Sequence, residues 1–250
     1  MTEATILELP WSEAPRSFEA LRSCLEEHLG LCFRGVLPVE DCRRYREGVL
    51  AGRDHWNSDF GGEQFSLGRA WYTHLEQGRS HEYFTQARAS NLLVERFVPG
   101  LAGWMRDRIG ELVGAPALPR RGWCGPGVHI FPAGEWVARH GGVIHADIEG
   151  LTEAHVDERA PALSLVVMLQ PPEAGGGLRL WDALHHEDDA LDTEQVAYLA
   201  HATITYNVGD LVVFDSYRLH QIQPFEGTTD RLSMTAHAAP FLPGRWEVWF

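Results

Sequence analysis

The sequence contains no lysine, so all 21 of its positively charged side chains are arginines, against 35 acidic residues. The formal net charge is −14 at pH 7. Nucleic-acid-binding proteins neutralise phosphates with basic side chains, so this acidic balance argues against DNA or RNA as a partner. The missing lysine is itself typical of a GC-rich genome, and we draw no functional conclusion from it.

Cysteine is scarce, and no CxxC pair occurs, which argues against a structural zinc site and against a disulfide framework. The chain has no run of roughly 20 apolar residues, the length that a transmembrane helix needs. Residues 1–10 lack the basic start and apolar run of a signal peptide. No Pro- or Ser-rich linker divides the 250 residues. We therefore expect a single cytoplasmic domain without a membrane partner. The four cysteines are Cys24, Cys32, Cys42 and Cys124.

The first half of the chain, residues 1–124, has mainly the periodicity of helices. Apolar residues recur at three- and four-residue spacing from Ser17 to Leu29, which predicts an amphipathic helix. A second helix with an acidic first turn is predicted over Pro38–Leu50. Glu82–Gly114 predicts two helices separated by a Pro-Gly pair. Between these helices we predict a short strand over Leu31–Val36 and an irregular loop over Gly52–Gly78.

The second half, residues 125–250, consists of short β-branched and aromatic runs separated by Gly, Pro and Asp, a spacing typical of an antiparallel barrel or jelly roll. We therefore predict a mainly β protein with helices: a double-stranded β-helix, the cupin-like form of jelly roll, with N-terminal supporting helices. The long interruption Asp182–Ala200 is predicted as an inserted loop with a short helix. The eight candidate strands are Val128–Phe131, Val143–Asp147, Leu163–Gln170, Gly177–Trp181, Ala202–Val208, Leu211–Asp215, His220–Pro224 and Arg231–Ala238.

Two histidines and one carboxylate in this half have the pattern of a metal site. His145 and Asp147 are one residue apart in a predicted strand, so both side chains point to one face, and His220 begins a later strand. Two neutral imidazoles and a carboxylate form the facial triad of non-haem Fe(II), which leaves three positions open. Arg231 and Ser233 share a strand face in the same way. A guanidinium beside a hydroxyl binds a carboxylate in a defined geometry, which suggests an anionic co-substrate.

Two further pairs compete for the role of the first metal pair. His155 with Asp157, and His186 with Asp188, have the same spacing. We favour His145 because it follows two apolar residues, whereas His155 stands among charged residues and His186 in an acidic run. The choice between His145 and His155 stays open at this point.

The distal metal ligand also has an alternative. His237 could take the place of His220, but no arginine follows His237 at a suitable distance. Taken alone, His220 fits a surface turn and Arg231 fits a structural salt bridge. The metal site is therefore inferred from the ordered set and not from any one residue.

Residues 125–240 resemble the Fe(II)/2-oxoglutarate-dependent oxygenase family, particularly its prolyl-hydroxylase-like and small-molecule hydroxylase or halogenase branches. The resemblance implies that iron is bound by His145, Asp147 and His220. It assigns Arg231 and Ser233 to the far carboxylate of 2-oxoglutarate. The related halogenases carry Gly or Ala in place of the carboxylate so that chloride can coordinate, so Asp147 indicates hydroxylation. The matching parts are Phe131 with Gly134, His145 with Asp147, the turn Gly175–Gly177 running into Leu178 and Trp181, Gly209 with Asp210, and His220 with Arg231 and Ser233.

Several residues are candidates for the walls of the cavity. Relatives often carry a tyrosine where this chain has Phe131, and His129 on the same strand face is a candidate for the missing donor to the co-substrate. Phe131, Trp136 and Trp246 are candidate substrate-binding residues, because aromatic walls suit a small organic substrate. Trp246 and Trp249 fit equally well as hydrophobic residues that close the barrel.

The resemblance implies an oxidoreductase, a dioxygenase that uses Fe(II), 2-oxoglutarate and O₂. We expect it to hydroxylate a C–H bond of an amino acid or a natural-product intermediate in biosynthesis, with release of succinate and CO₂. A protein prolyl or side-chain hydroxylase stays open as an alternative. A metal-binding cupin without oxygenase activity is the other alternative, and in it Arg231 would be merely structural. The sequence leaves the oligomeric state open.

Overall fold

The computed structural model of the protein describes residues 4–185 and 193–250. The first half contains five helices: α1 (Phe18–Glu27), α2 (Val39–Ala51), α3 (Trp71–Glu76), α4 (Ser80–Phe97) and α5 (Leu101–Val113). It also contains five short strands: β1 (Ile6–Leu9), β2 (Gly30–Phe33), β3 (Asn57–Asp59), β4 (Gln64–Leu67) and β5 (Ala117–Pro119). Single 3-10 turns occupy Trp11–Glu13, Arg53–His55 and Phe60–Gly62.

The second half is mostly strand. Its strands are β6 (Gly127–Phe131), β7 (Leu163–Gln170), β8 (Ala174–Gly175), β9 (Leu178–Leu184), β10 (His201–Ile204), β11 (Leu211–Asp215), β12 (Arg218–Ile222), β13 (Phe225–Glu226), β14 (Arg231–Leu242) and β15 (Arg245–Trp249). Three short helices connect them: α6 (Trp136–His140), α7 (Glu153–Asp157) and α8 (Thr193–Val196). Within the described residues, no helix has the length and apolar character needed to cross a membrane.

The long helices form close to where the periodicity predicts them. Ser17 caps α1, because its Oγ accepts a hydrogen bond from the Ala20 N–H at 3.3 Å. Leu21 and Leu25, one turn apart on α1, are buried against the sheet. Gly100 separates α4 from α5 with a left-handed φ of 79°. The Pro-Gly pair therefore divides the predicted helical region into two helices.

The strands form two facing sheets, which is the jelly roll that the sequence predicts. The main sheet has the order β1-β2-β11-β7-β14-β6-β4-β3, with β15 also paired to β14 and β5 paired to β15. A second sheet has the order β10-β9-β12, and β13 pairs with β8. On the central strand β7, Leu165 and Val167 pack into the core shared with the helices. Val166 and Met168, on the opposite face, pack against the second sheet.

The first half also contributes strands to the main sheet, in addition to the helices predicted there. β1 pairs with β2 in parallel at one edge, and β3 and β4 form the other edge. The segment Gly52–Gly78, predicted as an irregular loop, contains this β3–β4 hairpin and helix α3, so that prediction is wrong. The residues of β3, Asn57–Asp59, have low strand propensity, and the strand forms because β4 pairs with it and with β6.

The predicted strand Val143–Asp147 is also wrong. This segment forms only one bridge, in which His145 and His220 exchange backbone hydrogen bonds of 3.1 and 2.9 Å. The segment begins at Gly141, whose φ is 80° and where a Cβ atom would lie 2.7 Å from the Ile222 carbonyl oxygen. Glycine therefore permits a close approach to β12, and the chain runs beside that strand without forming a ladder.

Candidate metal centre

A cavity of about 490 Å³ opens between the two sheets, beside the bridge between His145 and His220. The strand β14 contributes four of its side chains, at every second position from Arg231 to His237. The neighbouring strand β6 contributes His129 and Phe131, which lie opposite Ser233 and Arg231 in the β6–β14 ladder. The period-two alternation of two adjacent strands therefore forms one wall of the cavity.

Three side chains converge at this wall: His145, Asp147 and His220. The His145 Nε2 and His220 Nε2 atoms each lie 3.5 Å from a carboxylate oxygen of Asp147. One ligand atom from each residue lies within 4.8 Å of the other two, and no other such group of three occurs among His, Cys, Asp and Glu in residues 4–185 and 193–250. The two imidazole rings are 4.2 Å apart between centroids. This spacing suits three ligands on one face of a metal ion.

The backbone fixes which nitrogen of each histidine faces the carboxylate. The Nδ1 of His145 lies 2.9 Å from the Val143 carbonyl oxygen, and the Nδ1 of His220 lies 3.0 Å from the Arg218 carbonyl oxygen. A carbonyl oxygen accepts only, so each Nδ1 carries a proton and donates it. Each Nε2 is then available as a metal ligand, and metal-binding histidines commonly donate the other ring N–H to a carbonyl oxygen in this way.

Asp147 is held by Ser164 on β7 and by Ser216, which directly follows β11. Its backbone N–H donates to the Ser216 carbonyl oxygen at 2.8 Å. Its Oδ2 accepts a 2.6 Å hydrogen bond from the Ser164 hydroxyl. Burial raises the pKa of Asp147, but His220, His237 and His145 together outweigh that effect and hold the pKa well below its usual range. The side chain is therefore ionised at neutral pH.

The histidines around this carboxylate differ in their pKa values. Burial lowers the pKa of His145, but the hydrogen bond with Asp147 outweighs it and raises the pKa to about 9. Burial lowers the pKa of His220 to about 4, and it also lowers the pKa of His237. One carboxylate with two imidazoles that offer Nε2 is a donor set that fits Fe(II).

Arg231 lies deeper in the same cavity and is almost fully buried, with 1% of its surface exposed. Its Nε donates to the Gly176 carbonyl oxygen at 3.1 Å, and its Nη1 donates to the Ser233 hydroxyl at 3.0 Å. The guanidinium carbon lies 5.4 Å from the ring centroids of Phe131 and Tyr206. No carboxylate of the described residues forms an ion pair with it, and burial lowers its pKa. A buried cation without a counterion is costly, so the site fits an anionic ligand.

His129 adds an unsatisfied polar atom to the anion site. Burial lowers the pKa of His129 to about 3, so the ring is neutral. Its Nδ1 is buried and has no hydrogen-bond partner in the described part of the chain. Buried polar groups are rarely left unpaired, so this atom is suited to contact a ligand.

The remaining candidate residues are divided between cavity and core. Phe131 and Trp136 line the cavity. Trp246 does not: it is buried in the core and packs against Phe18, with 5.1 Å between ring centroids. The structure therefore contradicts its prediction as a substrate-binding residue. The sequence could not separate the two outcomes, because a buried aromatic strand residue suits either position.

The alternative pair His155 and Asp157 does not form a metal site in the described structure. His155 and Asp157 lie on α7, where a spacing of two residues places side chains on different faces, and the His155 Nδ1 pairs with the Thr152 hydroxyl at 2.7 Å. His186 and Asp188 lie outside the described residues. His237 lies beside the triad, but its Nδ1 is 3.8 Å from Asp147 Oδ2 and faces Ser164. It is therefore not one of the three grouped ligands.

Several residues in or beside the site were not predicted from the sequence. The Ser164 hydroxyl donates to the Asp147 carboxylate, and the Ser216 hydroxyl lies 2.9 Å from that of Ser164. No local motif marks these serines, since they meet only through the pairing of β7 and β11. Thr235 was detectable, because it shares a strand face with Arg231 and Ser233. Three glutamates also line the cavity, namely Glu63, Glu76 and Glu149.

Comparison with known proteins identifies related sequences and folds. Residues 151–241 match the family model described as carrier-protein-independent halogenase WelO5. No curated protein sequence matches the chain.

Solved structures share the fold at low sequence identity. An N-substituted L-amino acid dioxygenase from Burkholderia ambifaria AMMD in complex with alpha-KG has 15% identity and a TM-score of 0.60, covering 93% of this chain and 91% of that chain. The carbocyclase SnoK from nogalamycin biosynthesis has 13% identity and a TM-score of 0.59, covering 97% and 99%. The epimerase SnoN from the same biosynthesis has 15% identity and a TM-score of 0.56, covering 88% and 82%.

The structural likeness, at these identities, establishes the fold. The family-model match is independent of it and rests on sequence. The triad of His145, Asp147 and His220 is a donor set that fits Fe(II), the metal of non-haem oxygenases. On these three grounds the chain is similar to Fe(II)/2-oxoglutarate-dependent oxygenases, and its donor set fits Fe(II).

Proposed function

We propose that this protein is a dioxygenase that hydroxylates a C–H bond of a small molecule, an amino acid or a natural-product intermediate, and releases succinate and CO₂. The observation that carries the proposal is the buried Arg231, which has no carboxylate partner in the described residues and lies in one cavity with the triad. A purely structural arginine would be paired, because an unpaired buried cation destabilises the fold. The metal-binding cupin without a co-substrate is therefore the weaker reading.

Each site residue has a role in this proposal. His145, Asp147 and His220 hold Fe(II), which supplies the activation of O₂ coupled to oxidative decarboxylation of 2-oxoglutarate. Arg231 and Ser233 bind the far carboxylate of 2-oxoglutarate, with the planar guanidinium fixing its orientation. His129 contributes its unpaired Nδ1 to the same ligand. Phe131 and Trp136 form apolar parts of the wall.

Hydroxylation is favoured over halogenation by Asp147. A halide can bind the metal only where a ligand position is free, and here a carboxylate occupies the position next to His145. The match to the halogenase family covers residues 151–241, so it begins after both His145 and Asp147. It therefore carries no information on the residue that separates the two reactions.

A small-molecule substrate suits the cavity. Its volume of about 490 Å³ falls within the range of ligand pockets, and bound 2-oxoglutarate would occupy only part of it. The net charge of −14 disfavours a nucleic acid. The solved structures named above are enzymes of amino acid oxidation and of nogalamycin biosynthesis, which supports the same substrate size.

Anaerobic titration of the Fe(II)-loaded protein with 2-oxoglutarate tests the proposal. A keto acid chelated to iron produces a weak visible charge-transfer band, and we expect this band to saturate at one equivalent per chain. Exposure to O₂ with a substrate panel should then release succinate and a product that has gained one oxygen atom. His155→Ala is the matched control for His145→Ala, since only the latter should lose the band. Iron binding without the band would refute the co-substrate assignment.

A further inference from the structure

His237 lies beside the triad but takes no part in holding iron or 2-oxoglutarate. It shares the cavity-facing side of β14 with Arg231, and its ring lies 5.9 Å from that of Trp249. Its Nδ1 lies 3.2 Å from the Ser164 hydroxyl. Whether the Ser164 hydroxyl donates or accepts in this contact determines which nitrogen of His237 carries the proton.

Ser164 has three polar neighbours and one proton. Its Oγ lies 2.6 Å from Asp147 Oδ2, 2.9 Å from Ser216 Oγ and 3.2 Å from His237 Nδ1. An ionised carboxylate accepts only, so the Ser164 proton is donated to Asp147. Toward its two other neighbours, Ser164 can act only as an acceptor.

The hydrogen-bond network therefore fixes the tautomer of His237. Since Ser164 cannot donate to it, the Nδ1 of His237 carries a proton and donates it to Ser164. In a neutral imidazole the Nε2 then has a lone pair and no proton. In the described part of the chain no group forms a hydrogen bond with this Nε2. The cavity beside the metal thus contains a hydrogen-bond acceptor that the protein leaves unused.

The charge of the cavity points to the same kind of ligand. Glu63, Glu76 and Glu149 line it, and none of them forms an ion pair with an arginine among the described residues. Arg231 is the only arginine in the described lining, and in the proposed function the far carboxylate of 2-oxoglutarate neutralises its charge. The remaining space offers acceptors and negative charge, so it suits a ligand with hydrogen-bond donors and positive charge.

We propose that His237 Nε2 accepts a hydrogen bond from an amino group of the substrate and that the enzyme prefers amine substrates. The inference rests on the proposed function, because it assumes that the space beside the triad is the substrate site. It makes His237 a substrate-binding residue that sets the position of the substrate relative to the metal ligands. Removing an acceptor from a buried hydrogen bond leaves the donor unpaired, which weakens binding roughly tenfold or more.

Four probes of similar size separate hydrogen bonding from charge. 2-Phenylethylamine has a cationic donor, and 2-phenylethanol has a neutral donor. Phenethyltrimethylammonium has the charge without a donor, and 2-phenylethyl methyl ether has neither. We would measure their dissociation constants by calorimetry on protein loaded with Zn(II) and 2-oxoglutarate. We expect the amine to bind most tightly, roughly tenfold more tightly than the quaternary cation.

Two variants separate the proposed contact from a structural role. In His237→Asn the side-chain amide can still donate to Ser164 but does not reach the position of Nε2, and in His237→Phe both contacts are lost. Both variants should lose the preference for the amine over the quaternary cation, while His155→Asn should retain it. Equal binding of the four probes, binding of none, or a preference retained in His237→Asn would overturn the proposal. The charge-transfer band with 2-oxoglutarate, measured on the same variants, reports separately on the proposed function.

Discussion

His145 and His220 face each other across one β-bridge and exchange both backbone hydrogen bonds, at 3.1 and 2.9 Å. Two proposed metal ligands that are far apart in sequence are thus fixed by the main chain and not by side-chain packing alone. The bridge keeps the backbone extended in a segment that forms no strand. The side chains of His145 and Asp147 therefore point to the same side, as they would in a strand.

Replacing Asp147 with alanine should abolish hydroxylation, because the proposed triad loses its carboxylate, which the Ser164 hydroxyl holds in place. Asp157→Ala, a matched change on α7, should leave turnover largely intact. Succinate release and substrate oxidation measured on both variants check this. Activity retained in Asp147→Ala and lost in Asp157→Ala would instead indicate that His155 and Asp157 on α7 bind the metal.

Arg231→Ala should raise the 2-oxoglutarate concentration needed for half-maximal turnover by about thirtyfold or more, since loss of one partner of a buried charge pair costs at least about 2 kcal/mol. Affinity for the metal should change much less, because Arg231 does not contact the triad residues in the structure. Steady-state kinetics at varied 2-oxoglutarate measures the first quantity, and Co(II) titration measures the second. An unchanged 2-oxoglutarate requirement would make Arg231 a structural residue.

Ser164→Ala should lower the affinity for the metal by about 10- to 100-fold, as is typical when the partner of a metal ligand is removed. The reason is that Asp147 loses its 2.6 Å hydrogen bond and the restriction that this bond places on its carboxylate. Ser216→Ala is the control, because that hydroxyl contacts Ser164 and not the carboxylate in the structure. Co(II) titration measures the metal affinity of both variants. An equal loss of affinity in the two variants would contradict the proposed role of the Ser164 hydroxyl.

Metal affinity should depend on pH through His145. Its pKa is raised to about 9, so in the metal-free protein at pH 7 the ring is protonated, and the metal must displace that proton. Affinity should therefore rise by about tenfold per pH unit from neutral pH up to about pH 9 and then level off. His220, with a pKa of about 4, is already neutral in this range and adds no slope. A Co(II) affinity that is flat between neutral pH and pH 9 would contradict this.

The two tryptophans predicted as substrate-binding residues should respond differently to alanine. Trp246→Ala should lower the free energy of unfolding by about 3–5 kcal/mol, the usual cost of removing a large core side chain. Trp136→Ala should lower the free energy of unfolding little, because Trp136 is 41% exposed at the cavity. It should instead change the KM for substrate. Urea unfolding and steady-state kinetics on both variants separate the two roles.

Much of the fold and the site could be predicted because the signals are local. The period of Leu21 and Leu25 identifies α1, and the alternation of Arg231 and Ser233 identifies their shared face. The predictions that failed depend on distant pairing. The strand β3 has no propensity of its own, and the bridge at His145 replaces a strand because Gly141 brings the chain beside β12. Ser164 could not be predicted as a site residue, because its position depends on the pairing of β7 with β11.

The β3–β4 hairpin at the edge of the main sheet has a consequence for how such enzymes can diversify. Phe60, Glu63 and Gln64 reach the cavity from this hairpin, and Tyr72 and Glu76 reach it from α3. All the proposed ligands of iron and 2-oxoglutarate come instead from residues after 125. The cavity-facing side chains of this edge can therefore be changed while the pairing of β4 with β6, the strand that carries His129, is kept. Substituting Phe60, Glu63 and Glu76 is a rational starting point for engineering a new selectivity.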